Sequence, residues 1–218
     1  MGQRLVVQII KNDKPIAAIY YHWSAYFAST IDELAKLSRA ILDAKKHDKD
    51  ELLAILDMLE QVKILHVPRI GGAVKDEIRR GGVVNKPEEI KAAQHMFPNR
   101  EIKQEFIDRN NGLIAFTEQG IKDFMDWSEG DASINLDTLE ICNEVNLDPY
   151  PFEFDAEYEE DEYGEQCVSR YLSGRITINE KTCPVDAFDC TCESILELHD
   201  FMNREYAVFR DTHGDKPW

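Results

Sequence analysis

Apolar and polar positions follow two different periods along this chain, and the switches between them mark out its elements. Residues 4–10 and 16–22 are β-rich runs separated by Lys11-Asn12-Asp13-Lys14, which predicts a β-hairpin. An aromatic cluster, Tyr20, Tyr21, His22, Trp23, Tyr26 and Phe27, closes it. The period then changes to that of a helix, with Ile31, Leu34, Ala35, Ile41 and Leu42 on one stripe to about Lys46. Thr30 and Glu33 have the spacing of a capping box at its start. Asp48 is placed to cap a second helix carrying Leu52, Ile55, Leu56, Leu59 and Val62, which Pro68 ends. Pro87 suits the first position of a third helix over 88–96, stopped by Pro98.

The second half returns to alternation. Residues 105–108 and 113–117 flank Arg109-Asn110-Asn111-Gly112, and Asn-Gly is a strong hairpin signal. Thr117 caps an amphipathic helix to Trp127 with Ile121, Phe124 and Met125 apolar. Strands are predicted over 132–136 and 139–145 around Asp137-Thr138, and a small hairpin over 168–172 and 175–179 turning at Ser173-Gly174. A last helix follows, with Ser194 and Glu197 as its capping box and Ile195, Leu198, Met202 and Tyr206 along one face. This order predicts an α+β protein: an N-terminal β-hairpin, a helical middle and a second antiparallel sheet with helices on one face. Asp148-Pro149-Tyr150-Pro151 resembles a boundary. The chain divides by charge into a near-neutral part, 1–100, and an acidic α+β part, 101–218, unless 1–218 is one continuous domain.

Charge changes the picture most. Residues 1–109 hold 18 Lys and Arg against 16 Asp and Glu; residues 110–218 hold 7 against 26. Between 118 and 165 there are 17 acidic residues and one basic residue, Lys122. Such density costs self-repulsion and adds nothing to a core, so it points to a surface rather than a reaction. It argues against direct nucleic-acid binding, which needs Lys and Arg to neutralise phosphates. It favours a basic partner; the competing reading is a solvated, solubilising face. No stretch approaches the roughly 20 apolar residues of a membrane span, and the N-terminal run lacks the features of a signal peptide, so a cytoplasmic protein is expected.

The candidate partner-binding residues are Glu153, Asp155, Glu157, Tyr158, Glu159, Glu160, Asp161, Glu162, Tyr163 and Glu165. If 153–159 were extended, Glu153, Asp155, Glu157 and Glu159 would share one face about 6.6 Å apart. That is close to twice the roughly 3.4 Å nucleotide step, so the row would imitate a phosphate track. Phe152, Phe154, Tyr158 and Tyr163 would anchor it. A second candidate is the basic Gly-rich segment with Arg69, Gly71, Gly72, Lys75, Arg79 and Arg80, where glycines allow backbone N–H groups to approach an anion. It has neither GxxxxGK[ST] nor GxGxxG, and the competing reading is a surface loop. It would alternatively dock on the acidic stretch, within one chain or between the protomers of a homo-oligomer.

All five cysteines lie in the second half, at positions 142, 167, 183, 190 and 192. Cys183, Cys190, Cys192 and His199 are the types that bind zinc, but their spacing is not that of a Cys-x₂-Cys knuckle, so buried free thiols are the expectation. No metal, cofactor or catalytic residue is assigned, and no turnover activity is expected.

The opening Met1, Gly2, Arg4 and Ile19-Tyr20-Tyr21-His22-Trp23-Ser24-Ala25-Tyr26 resembles a group of uncharacterised phage and prophage accessory proteins. Those begin Met-Gly-x-Arg and run through a β-hairpin into an aromatic turn and a helix. The segment from Asn111 to Gly120, NGLIAFTEQG, is similar to the same group. The group has no assigned activity, so the resemblance implies a phage accessory role and no functional residue. With the charge it gives a function expectation: an acidic inhibitor binding a basic, nucleic-acid-handling host defence protein, by nucleic-acid mimicry. The alternatives are a small-ligand or nucleotide-sequestering protein using the basic Gly-rich segment, and an enzyme with an unrecognised site.

Overall fold

The computed structural model describes residues 4–21, 24–25, 27–65, 87–99, 111–144, 158–160, 166–168, 171–172, 175–178 and 181–213. Its centre is β1 (Leu5–Lys11), in which Leu5, Val6, Val7 and Ile9 are wholly buried. A strand apolar on both faces must be covered on both, and both of its hydrogen-bonding edges are used. It pairs antiparallel with β2 (Lys14–Tyr21) and parallel with β4 (Gly130–Asn135), in register Leu5↔Gly130 to Ile10↔Asn135. With β3 (Asn111–Ala115), β5 (Glu140–Asn143) and β11 (Asp189–Thr191) the order is β11-β5-β4-β1-β2-β3. The α+β class and the N-terminal hairpin are as expected from the sequence. The strands expected to form a separate sheet instead extend the hairpin's own, and one pairing in it is parallel. Smaller antiparallel ladders join β6 (Tyr158–Glu160) to β7 (Gln166–Val168), and β8 (Tyr171–Leu172), β9 (Arg175–Ile178) and β10 (Lys181–Thr182) to one another. Leu172 pairs with Arg175, and the predicted turn residues between them, Ser173 and Gly174, lie outside the described residues. The predicted partner of β3 at 105–108 falls outside the described residues.

Five helices accompany the sheet among the described residues: α1 (Phe27–Lys46), α2 (Glu51–Leu65), α3 (Pro87–Met96), α4 (Glu118–Met125) and α5 (Cys192–His213). α1 packs against α2 and α5, while α4 packs on β2, β1 and β3. Alternation along β2 sets the two layers. Tyr20 meets α4, its ring 5.7 Å from Phe124 and 6.5 Å from Trp127. Tyr21 turns to the other face, where its buried hydroxyl feels Asp32 and Glu33 of α1. Helices therefore cover both faces at the β2 end. Buried residues from Leu5 to Met202 form one hydrophobic cluster. No helix among the described residues is long and apolar enough to cross a membrane.

The helix starts use the expected residue types at shifted positions. Thr30 lies inside α1, and its hydroxyl donates to the Ser24 carbonyl at 2.8 Å instead of capping. The turn before it is helical too, so no orphan N–H needs Thr30. Asp48 is not the cap of α2: at φ 51° it sits in the turn after α1, while Asp50 Oδ1 accepts the Leu53 N–H at 2.7 Å. At α5 the capping box is Thr191 with Ser194, each accepting the other's N–H at 3.2 and 2.7 Å, rather than Ser194 with Glu197. Helix α5 starts as soon as β11 ends, which moves the box three residues earlier.

Thr117 caps α4 as predicted, accepting from the Gly120 N–H at 2.9 Å. A buried carboxylate sits behind that cap. Glu89 of α3, 1% exposed, accepts the N–H groups of Phe116 at 2.5 Å and Thr117 at 3.1 Å, and the Thr117 hydroxyl. A side chain at Gly120 would collide with Glu89 Oε1 and approach Ala115 Cβ at 3.1 Å. Glu89→Ala is expected to cost about 3 kcal/mol, because three donors lose their acceptor. Gly120→Ala is expected to destabilise less once Glu89 is gone. Urea unfolding of both singles and the double checks the non-additivity; additive losses would mean that Glu89 does not set the need for glycine.

Candidate functional site

A polar cluster forms where α1 meets α5. Asp32, Lys36, Arg39 and Asp43 recur at i, i+4, i+7 and i+11, one polar stripe of α1. His199 and Asn203, one turn apart on α5, meet it. Asp32 divides its carboxylate: Oδ1 accepts from His199 Nε2 at 3.2 Å and Oδ2 pairs with Lys36 Nζ at 2.6 Å. Lys36 also reaches Glu33 at 3.3 Å. Arg39 Nη2 lies 3.0 Å from His199 Nδ1 and 3.7 Å from Asp200 Oδ1. A guanidinium only donates, so Nδ1 is the acceptor and Nε2 carries the proton given to Asp32. Asn203 Nδ2 is 3.1 Å from both ring nitrogens. Nε2 carries the proton and cannot accept, so Nδ1 is the only ring acceptor open to Asn203, which shares it with Arg39.

Two directions of acidity follow. Burial works to raise the Asp32 carboxyl, but the His199 and Lys36 hydrogen bonds and charges win and hold it at about 2. Burial opposes the Lys36 ammonium, yet Glu33 and Asp32 keep it above its ordinary value. A carboxylate, an imidazole and two cations in hydrogen-bond contact resemble acid–base machinery. Here the imidazole lone pair is already filled by Arg39, so the arrangement is a closed network rather than a poised base.

Beside it, between α1 and α2, opens a cleft of about 600 Å³. Its floor is Ala40, Ala44, Leu53, Ala54 and Met58, and its rim is Lys36, Arg39, Asp43, Lys49, Asp50 and Asp57. Lys36 and Arg39 thus belong to both cluster and cleft. Separately, Glu51 at the head of α2 holds Lys11 of β1 at 3.4 Å and Lys45 of α1 at 3.5 Å.

The second feature is the sheet face on which α4 lies. Direct cross-strand partners share a face, so Tyr20, Val6 and Asp131 lie on one side. Ser133, Cys142 and Asp189 continue that side across β4, β5 and β11. The face is aromatic under α4 and polar toward β11, where Cys142 and Asp189 are exposed. No Lys, Arg or His among the described residues pairs with Asp126, Asp131, Asp137, Glu140, Glu144 or Asp189, unlike the carboxylates of α1.

The residues singled out in the sequence fare differently. Of the acidic candidates only the backbone of Tyr158–Glu160 is described, as β6. The others, Glu153, Asp155, Glu157, Asp161, Glu162, Tyr163 and Glu165, lie outside the described residues. So do Arg69, Gly71, Gly72, Lys75, Arg79 and Arg80. Cys183, Cys190 and Cys192 are buried thiols, and His199 faces Asp32 and Arg39 instead of joining them. Burial pushes Cys190 up to about 12 and Cys192 up to about 11, which keeps both as thiols. No group of His, Cys, Asp and Glu able to hold a metal forms among the described residues. The α1–α5 cluster is absent from the sequence expectations. Its signal was the i, i+4, i+7 polar stripe facing a second polar pair on α5.

Compared with protein-family models, curated proteins and solved structures, the chain finds no match.

Two predictions follow from this geometry. Asp32 is lowered from 3.8 to about 2, so its contribution to stability is complete above its ordinary value and lost as pH falls through about 2. Its side chain is 47% exposed, which limits that contribution to below about 1 kcal/mol. Asp32→Asn is expected to flatten the acid limb of stability between about pH 4 and pH 2; an unchanged limb would refute the pairing. Cys142 is exposed, yet partial burial, Asp189 and Glu144 raise its thiol. Peptide-mapped alkylation should label Cys142 ahead of Cys183, Cys190 and Cys192. Glu144→Gln or Asp189→Asn should speed it roughly two-fold at neutral pH, since removing a negative neighbour favours the thiolate.

Proposed function

We propose that this chain is an acidic binding protein of the phage accessory type. It acts in the bacterial cytoplasm and captures a basic, nucleic-acid-handling host protein by presenting carboxylates where that partner holds phosphates. The observation that carries the reading is the contrast between its two sets of carboxylates. Several of the first half are answered internally: Lys36 takes Asp32 and Glu33, and Lys11 and Lys45 take Glu51. The stretch from 118 to 165 holds 17 acidic residues and only one basic residue of its own. Among the described residues, Glu129 of that stretch pairs with Arg4 at 3.2 Å, while Asp126, Asp131, Asp137, Glu140 and Glu144 meet no Lys, Arg or His. Self-repulsion of this kind is relieved by a partner that brings Arg and Lys.

Each exposed pair is worth about 0–1 kcal/mol. Affinity therefore needs many pairs together with apolar anchors, which the aromatics between Phe152 and Tyr163 supply. The charges also speed encounter and make it salt-sensitive.

The test begins with recovery of the partner from a host lysate on the immobilised full chain. Association is then measured from low to high salt for the wild type and for a variant with Glu157, Glu159, Glu160 and Glu162 changed to Gln and Asp161 to Asn. The expected outcome is weaker binding with a shallower salt slope. Unchanged affinity and slope would leave the acidic stretch as a solvated face.

A further inference from the structure

His199 lies where α1 and α5 meet, with its side chain 15% exposed, and its two ring nitrogens face opposite kinds of group. Nε2 gives its proton to Asp32, while Nδ1 accepts from Arg39 at 3.0 Å. The second contact exists only while Nδ1 is unprotonated, because a guanidinium has no acceptor. An alternative partner for a protonated Nδ1 is already in place: Asp200 Oδ1 is 3.6 Å away. An alternative partner for Arg39 is present as well. Asp43 stands one turn further along α1, at the i, i+4 spacing that brings side chains together, and its carboxylate is engaged by His47 at 3.2 Å. Arg39 and Asp43 both line the α1–α2 cleft.

We propose that His199 is a proton-operated latch that swaps Arg39 for Asp200 and turns Arg39 toward Asp43 on the wall of the cleft. One proton from solvent binds at Nδ1, which changes from acceptor to donor, and only hydrogen bonds are exchanged. The charged groups around the ring are Asp32 and Arg39 from α1, with Lys36 and Glu33 behind Asp32, and Asp200 from α5 itself. With a neutral imidazole, three carboxylates oppose two cations. The proton brings the cluster to balance. It also places imidazolium and guanidinium side by side unless Arg39 leaves. Through the exchange the Asp32–Nε2 contact is retained, so α1 and α5 stay joined. What changes is the cleft rim, which gains a guanidinium free of the imidazole.

The experiment is an NMR titration of the full chain with ¹⁵N-labelled His and Arg, from pH 8.5 to pH 5. At the high end His199 should show the Nε2–H tautomer. The Arg39 Nε–H signal should then move in step with His199, and that movement should vanish in His199→Gln. Arg39→Gln should shift the His199 midpoint upward, because it removes both a donor to the neutral form and a neighbouring cation. Asp200→Asn should shift it downward. Arg39 and Asp200 are exposed, so these two variants keep the test alive if His199→Gln does not fold. An Nδ1–H tautomer at high pH, an Arg39 signal indifferent to His199, or an unmoved midpoint in both exposed variants would each overturn the latch.

Discussion

The constraint on which the rest of this structure depends is the complete desolvation of β1. Four of its apolar side chains are at 0% exposure, and burying each contributes about 1.5–3 kcal/mol. Buried backbone must be hydrogen-bonded, so both edges of β1 need a strand. The hairpin supplies one. The other, β4, begins at Gly130, paired with Leu5. A parallel partner needs a crossover, and here the intervening chain carries α1, α2, α3, β3 and α4. That connection also delivers the covering layers, α1 to one face and α4 to the other. The far end of α4's face, toward β11, is left open, and there the polar and acidic positions of β4, β5 and β11 accumulate.

What could be read from the sequence, and what could not, divides by range. Strands β1 and β2, Pro87 at the head of α3 and Thr117 at the head of α4 are local matters of period and capping, and they stand where the sequence placed them, whereas Asn111-Gly112, expected in a turn, are the first residues of β3. The caps at Asp48 and Ser194 were misplaced because several capping types crowd each boundary. Asp48 and Asp50 compete at one, Thr191 and Ser194 at the other, and only the backbone decides between them. The parallel pairing of β1 with β4 has no local signature, since an alternating strand does not name its partner. The α1–α5 cluster was hidden for the same reason. His199 stood in the sequence near Cys183, Cys190 and Cys192, which invited a metal reading, yet its partners Arg39 and Asp32 lie 160 and 167 residues away.

Glu89 shows the same principle at a single residue. In the sequence it is one of two glutamates in the first turn of a helix, a position that usually serves the helix dipole. In the fold it is buried and serves the start of a different helix, 27 and 28 residues on, through Phe116 and Thr117. Its presence also explains the glycine three residues into α4, which intrinsic helix propensity alone would disfavour.

The charges of this protein act in two regimes, and the difference bears on what each can do. In the α1–α5 network the pairs lie 2.6 to 3.7 Å apart around a largely covered His199, but Asp32, Arg39 and Asp200 are about half exposed or more, so salt screens these pairs in part and the proton on the ring sets their arrangement. The carboxylates of β4, β5 and β11 have no cationic partner among the described residues, and some are exposed, so salt governs them. A partner drawn by the acidic stretch would be lost at high ionic strength. A proton on His199 would rearrange the cleft rim with the acidic stretch unchanged. Salt and pH thus address different surfaces of one molecule. A binding event that responded to both would have to span from the open face of the sheet to the helices covering the opposite face, and these two polar regions are divided by the buried core around β1.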